Sequence, residues 1–257
     1  MADYDILGNI AVIKSEGKKK KQAMIEADKI FSSHLGVRTV LSKDNKVSGR
    51  LRTIKAKHVK GEKNFIVDYI ENNCRFVFDI RKCYFSPRLS GERKLIAEKI
   101  KSNDKVLVMF AGIGVYPIVI YKIAKPVQVL GAEIGRECCK YFKKNLELNK
   151  IPSDKVKIIQ GDVKKKIKKD FGKFEVVVMA RPNLKDSFLE QGLYTSKKGT
   201  RLFYYAFSKN DKIDEVIRDL IKEAGRYKRN IKFIEKVTAG DIAPYKYRYR
   251  IEFKVLK

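Results

Sequence analysis

No stretch of this 257-residue chain approaches the ~20 uninterrupted apolar residues that a membrane-spanning helix needs. A helical membrane protein is thereby excluded. Met1 to Val12 carry no basic flank followed by an apolar block, so no signal peptide is expected and the protein reads as soluble and cytoplasmic. Histidine is scarce, with only His34 and His58. The four cysteines, Cys74, Cys83, Cys138 and Cys139, stand at spacings that match no zinc pattern, and two histidines are too few to complete one. No metal is expected, and the cysteines read as small buried hydrophobes of a reducing compartment.

Acid is also in short supply. Lys and Arg number 58 against 30 Asp and Glu, a formal charge of +28. Such a surface attracts polyanions through counterion release, which makes nucleic acid the default partner. A Lys-rich thermophilic composition would bring Glu along in ion-pair networks; here the acids do not keep pace. An anionic membrane is the competing partner, but no basic amphipathic helix with a broad aromatic face is present to dock on one.

What is present changes character part-way along. The first segment reads as β-rich with one basic helix: an apolar run over Asp5–Ile13 broken at Gly8-Asn9, then a helix from Lys18–Lys21 to Ser33. Phe65–Tyr69 and Arg75–Ile80 read as strands joined through Glu71-Asn72-Asn73, a composition suited to a tight turn. A helix is expected over Glu92–Ser102. Beyond it short apolar strands alternate with helices. Strands fit Lys105–Phe110, Val127–Glu133, Val156–Gln160, Phe174–Met179 and Arg201–Phe207; helices fit Val115–Ala124, Arg136–Asn149, Lys164–Lys169 and Asn183–Ser196. A helix at Asp211–Gly225 and strands at Lys232–Val237 and Tyr247–Val255 follow, the last two too close for a crossover and so an antiparallel hairpin at one edge. Five βα units closed by a β-hairpin form the layout of class I, Rossmann-like methyltransferases. The expected fold class is therefore α/β, with a small α+β domain at 1–80 and a methyltransferase domain at 81–257. No internal repeat is visible.

The turn after the first of those strands, Phe110-Ala111-Gly112-Ile113-Gly114, opens a helix. In a doubly wound sheet the ligand sits at the carboxyl ends of the strands, and glycine there lets backbone approach it closely. A dinucleotide site would place a third glycine where Pro117 stands, so phosphate binding is disfavoured. Glu133 ends the second strand, where a carboxylate can accept both hydroxyls of a ribose, and Asp162 follows the third, placed to meet an adenine edge. Either acid could equally be a helix cap or a solvated turn. Glycine loop, then acid, then acid is the order that S-adenosylmethionine enzymes use.

The sequence resembles the archaeal and eukaryotic tRNA (guanine-N1)-methyltransferase family, which modifies the guanosine immediately 3′ of the anticodon, position 37, and includes wybutosine-pathway relatives. The resemblance runs from Tyr4-Asp5-Ile6-Leu7-Gly8-Asn9-Ile10-Ala11 to Ala243-Pro244-Tyr245. Its most specific parts are Asn72-Asn73-Cys74-Arg75-Phe76, Tyr84-Phe85-Ser86-Pro87-Arg88-Leu89 and Glu92-Arg93. The extra N-terminal domain of the family's larger members is not expected from this sequence. The resemblance implies S-adenosylmethionine as cofactor and tRNA as partner, with a monomer as the default state. It puts Glu92 at the general base and Arg52 at a catalytic arginine. Tyr84 and Arg88 fall in the lining of the target-base pocket, and Arg88 is also expected to bind the cofactor. Those residue types suit the chemistry. Guanine N1 carries a proton that a base must take, and charge then grows on O6, where a guanidinium stabilises it.

Two positions depart from the family pattern. Val108 stands where the family has an Asp before Met-Phe-Ala-Gly, and Ala180 stands where its motif after the fourth strand begins with Asn. With Met179-Ala180-Arg181-Pro182-Asn183-Leu184 in that place, Arg181 or Asn183, beside Pro182, is expected to take over the contact to the target base. Other readings are a wyosine-pathway methyl or aminocarboxypropyl transfer on the same nucleotide, and a non-catalytic RNA-binding protein on a degraded scaffold. The lysine runs Lys18–Lys21 and Lys164–Lys169 could hold phosphates. In Tyr245-Lys246-Tyr247-Arg248-Tyr249-Arg250, strand periodicity sends tyrosines to one face and cations to the other, with the tyrosines expected in the core and the cations blunting an exposed edge.

Overall fold

The computed structural model describes residues 4–14, 20–43, 53–180 and 186–257. Strands β1 (Tyr4–Leu7) and β2 (Ile10–Lys14) form an antiparallel hairpin. Its turn demands Gly8, whose φ is +56° and whose missing Cβ would lie 1.8 Å from the Asp68 carbonyl oxygen. Helix α1 (Lys20–Ser33) crosses over to β3 (Thr39–Lys43), parallel to β2, and β4 (Ala56–Gly61) closes a four-stranded sheet in the order β1-β2-β3-β4. Strands β5 (Ile66–Glu71) and β6 (Cys74–Asp79) form a second hairpin. Asn72 and Asn73 both take positive φ in its turn, the mirror-image geometry that matches strand twist.

The remainder builds the seven-stranded sheet. After α2 (Ser90–Glu98) the elements run β7 (Lys105–Met109), α3 (Val115–Ala124), β8 (Gln128–Glu133), α4 (Arg136–Leu148), β9 (Val156–Gln160), α5 (Val163–Lys166), β10 (Phe174–Met179) and α6 (Leu189–Tyr194). They continue with β11 (Ser196–Lys209), α7 (Ile213–Arg226), β12 (Ile231–Ala243) and β13 (Lys246–Val255). Strand order is β12-β13-β11-β10-β7-β8-β9, parallel from β11 through β9, with β13 antiparallel to both of its neighbours. This is the expected α/β architecture. The closing hairpin does lie at one edge, but the last strand is its inner member.

That detail overturns one expectation. Because β12 covers β13, the cations of the alternating run do not blunt an edge: Arg248 and Arg250 are 8% and 3% exposed. Tyr249, Ile251 and Phe253 pack into one core on the far side of the sheet, whereas Arg250 points toward α2. β12 and β11 also run longer than their apolar segments, since β12 passes Thr238 to Ala243 through register shifts that the sequence presents as a loop. All four cysteines are buried free thiols. No described helix is long and apolar enough to cross a membrane.

The hairpin β5–β6 is joined to its surroundings by side-chain amides. Asn9 bonds the Ile66 carbonyl and the Asp68 N–H. Asn149, which caps α4, bonds both backbone groups of Arg75, and Asn145 on α4 accepts from the Val77 N–H at 2.8 Å while donating to the Ile113 carbonyl at 3.1 Å. Asn145 thus ties the free side of β6 to the loop after β7. Asn145→Leu is expected to lower unfolding free energy by roughly 1–3 kcal/mol for each backbone group left unsatisfied. Urea denaturation measures this; a loss below about 0.5 kcal/mol, the range of surface changes, would show that the tie contributes little.

Candidate active site

The carboxyl ends of β7, β8 and β10 open onto a cavity of about 150 Å³ lined by Phe110, Ala111, Gly112, Ile113, Glu133, Ile134 and Ala180. Tyr84, Phe85, Ser86 and Leu89 close it from the segment before α2, Tyr116 from α3, and Tyr205 and Arg248 from β11 and β13. The loop after β7 is wound tightly, with positive φ at Phe110, Gly112 and Gly114. For a residue as bulky as Phe this is a costly conformation, and such strain concentrates at functional sites.

Glu133 is the anchor of this cavity. Its two oxygens accept from the N–H groups of Gly112 at 2.8 Å and Gly135 at 2.7 Å. Burial pushes its carboxyl above the ordinary range, and the backbone donors of Gly135, Gly112 and Ile134 recover part of that. Each oxygen keeps lone pairs for hydroxyl donors of a ligand. Beside it, a Cβ on Gly112 would meet nothing within 4 Å, so this glycine presents bare backbone to the cavity. A ribose on Glu133 with a flat base among Phe110, Ile113 and Ile134 fits these walls.

The other sequence-derived residues are placed as follows. Gly114 does not line the cavity; its absent Cβ makes room for the Phe142 ring, 2.0 Å away. Asp162 caps α5 by accepting from the Lys164 N–H at 3.0 Å and also lies outside the lining. Lys164, in the second lysine run, pairs with Asp186. Tyr84 lines both this cavity and a neighbouring one of about 430 Å³ that opens between the two sheets. Arg88 borders only the larger cavity, where it pairs with Asp5 at 2.7 Å. Burial works against the Asp5 charge, but Arg88 and Lys43 hold the carboxyl below its usual range. Val108 is fully buried in the apolar core and absent from the lining, so an apolar residue there leaves the cavity wall unchanged. Arg52, Arg181, Pro182 and Asn183 lie outside the described residues.

Glu92 sits behind the cavity rather than in its wall. Arg250 Nη1 reaches its two oxygens at 2.9 and 3.0 Å, and the Tyr205 hydroxyl donates to Oε1 at 2.5 Å. Tyr116 in turn donates to the Tyr205 hydroxyl at 3.0 Å. Burial alone would loosen the Arg250 proton, and the adjoining carboxylate more than reverses this, raising its pKa. Arg93 forms a second buried ion pair, with Glu71, and donates to the Ser86 carbonyl at 3.1 Å, fixing the segment that carries Tyr84 and Phe85. Tyr116 and Tyr205 carry no signal in the sequence, Arg93 shows only as part of Glu92-Arg93, and the Tyr/Arg alternation points Arg248 and Arg250 inward only once β13 is known to be an inner strand.

The family description TRM5/TYW2 methyltransferase domain matches residues 68–233. The chain belongs to this family. Among its relatives, the tRNA (guanine(37)-N(1))-methyltransferase Trm5b of Pyrococcus abyssi is 30% identical over 98% of this chain and 74% of its own. The solved structure of that protein gives a TM-score of 0.87, covering 99% of this chain and 75% of the other. The tRNA (guanine(37)-N(1))/4-demethylwyosine(37)-methyltransferase Taw22 of Nanoarchaeum equitans is 29% identical, over 98% of this chain and 99% of its own. A complex of aTrm5 with tRNALeu superposes with a TM-score of 0.85 at 26% identity, covering 98% and 71% of the two chains.

The two loop glycines of this TRM5/TYW2 chain separate experimentally. Gly112→Ala is expected to cost about 1–2 kcal/mol of backbone strain while placing a methyl in the cavity, so adenosine titrated by calorimetry should bind more weakly. Gly114→Ala adds a collision with Phe142, about 1–3 kcal/mol of overpacking beyond the same strain, and should appear as a larger drop in melting temperature. A larger stability loss at Gly112 would contradict this assignment.

Proposed function

We propose that this chain transfers a methyl group from S-adenosylmethionine to N1 of the guanosine at position 37 of tRNA. The observation that carries the reading is whole-chain kinship with Trm5b, small sheet included, at 30% identity and a TM-score of 0.87. The net charge of +28 suits a tRNA partner.

The residues present fit the cofactor. Glu133 would take the ribose hydroxyls, Gly112 gives backbone access, and Phe110, Ile113 and Ile134 supply apolar walls for the adenine. When bound, the cofactor supplies an electrophilic methyl on a sulfonium. The protein's own work is to position and to manage a proton. The larger cavity, bordered by Tyr84, Arg88, Lys14, Lys43 and Arg248, is roomy and basic enough for a nucleotide entering between the sheets. Glu92, at the family's general-base position, is read as the acid that receives the N1 proton. Arg52 is assigned to O6 by the family resemblance, and Arg181 or Asn183, beside Pro182, is proposed to take over the base contact where Ala180 replaces the family's Asn.

A second reading has specific support. Taw22, whose name carries both guanine-N1 and 4-demethylwyosine activity, matches almost end to end, and Ala180 presents only a methyl to the cavity. Transfer of label from S-adenosylmethionine to unmodified tRNA, with nucleosides identified by mass spectrometry, tests both. N1-methylguanosine at position 37 is the expected product. Label appearing only with tRNA that already carries the tricyclic base would replace the first reading by the second, and none with either would refute both.

A further inference from the structure

The proton's route follows from where Glu92 stands. The carboxylate does not line the cavity, whereas Tyr205, which donates to it, and Tyr116, which donates to Tyr205, both do. Their hydrogen-bond direction is set by chemistry. A carboxylate bonded through both oxygens by a guanidinium offers acceptors only, so Tyr205 must donate to Glu92. Its oxygen is then left to accept, so Tyr116 must donate to Tyr205. Tyr116 lines the cavity, and no other hydrogen bond to its oxygen occurs among the described residues, so that oxygen still has acceptor capacity.

Resting on the guanine-N1 reading, we propose that Tyr116 and Tyr205 form a proton wire from the target base to Glu92. The N1 proton passes to Tyr116 Oη as that hydroxyl's proton moves to Tyr205 Oη and Tyr205's moves to Glu92 Oε1. The electron pair left on N1 makes the new N–C bond, and the pair of the breaking C–S bond stays on sulfur. Both tyrosines end as they began, and the charge removed from Glu92 is the charge that had faced Arg250. Burial pushes the Tyr116 hydroxyl up to about 12 and raises that of Tyr205 well above its ordinary value, so neither rests as a tyrosinate and a concerted transfer avoids forming one. The hydroxyls are rigidly held: the side chains are 7% and 2% exposed, with ring centroids 6.2 Å apart.

Tyr116→Phe and Tyr205→Phe remove the hydroxyls and keep the rings. In single-turnover methylation of a tRNA transcript, each is expected to slow transfer about 100-fold, the scale of a lost general-base path. Calorimetric affinity for S-adenosylmethionine and filter-binding affinity for tRNA should hold, and melting temperature should fall by no more than the few degrees that losing one buried hydrogen bond costs. In mixtures of light and heavy water the wild-type rate should fall along a curve, as several protons move together, and that curvature should vanish in both variants. Adding Glu92→Gln to Tyr205→Phe should cost little more than either alone. Wild-type rates in Tyr116→Phe and Tyr205→Phe would overturn the wire and leave the function standing. Rate losses matched by lost affinity or lost stability would reduce the tyrosines to packing and overturn it too. A wild type that forms no N1-methylguanosine would remove the reading beneath it.

Discussion

The buried ion pair between Glu92 and Arg250 is the constraint around which this site is assembled. Its side chains are 6% and 4% exposed, and charges so placed are tolerated only when paired and hydrogen-bonded. Removing one partner of such a pair typically costs about 3–5 kcal/mol, since the other charge is left stranded. Here the pair joins α2, the first helix beside the large sheet, to β13, its last strand. Tyr205 on β11 and Tyr116 on α3 are then held by the carboxylate in turn. Four elements distant in sequence thus meet at one acid, and their inward surfaces form the wall opposite the glycine loop.

The cofactor side obeys a different logic. Glu133 is held by main chain alone, through N–H groups of the loops that follow β7 and β8. Its position therefore depends on strand register, while that of Glu92 depends on side-chain packing. Glu133 stands in the cavity wall, and Glu92 stands behind it, bonded to the wall residue Tyr205. That separation lets one carboxylate hold a nucleoside while the other stays reserved for a proton.

Much of this was legible in the sequence because it is local. The β7 loop, its glycines and the acid closing β8 follow each other within 24 residues, and strand–helix alternation is a short-range pattern. What sequence could not assign depends on strand order. The Tyr/Arg alternation of β13 reads as an edge strand beside its hairpin partner; only the sheet places β12 outside it and turns Arg250 inward. Asp162 and Gly114 show the opposite difficulty. An acid after a strand and a glycine before a helix fit a ligand and a local structural demand equally well, and here the structure shows the cap on α5 and the room for Phe142. Val108, where the family has an Asp, is a core residue.

The measurement that tests the account most directly is the single-turnover methylation rate of Glu92→Gln, taken with its affinities for S-adenosylmethionine and tRNA. The account expects transfer to fall by two or more orders of magnitude, about the contribution of a positioned base, while both affinities persist. Wild-type transfer by that variant would contradict it, because no proton would then need the carboxylate on which the network converges.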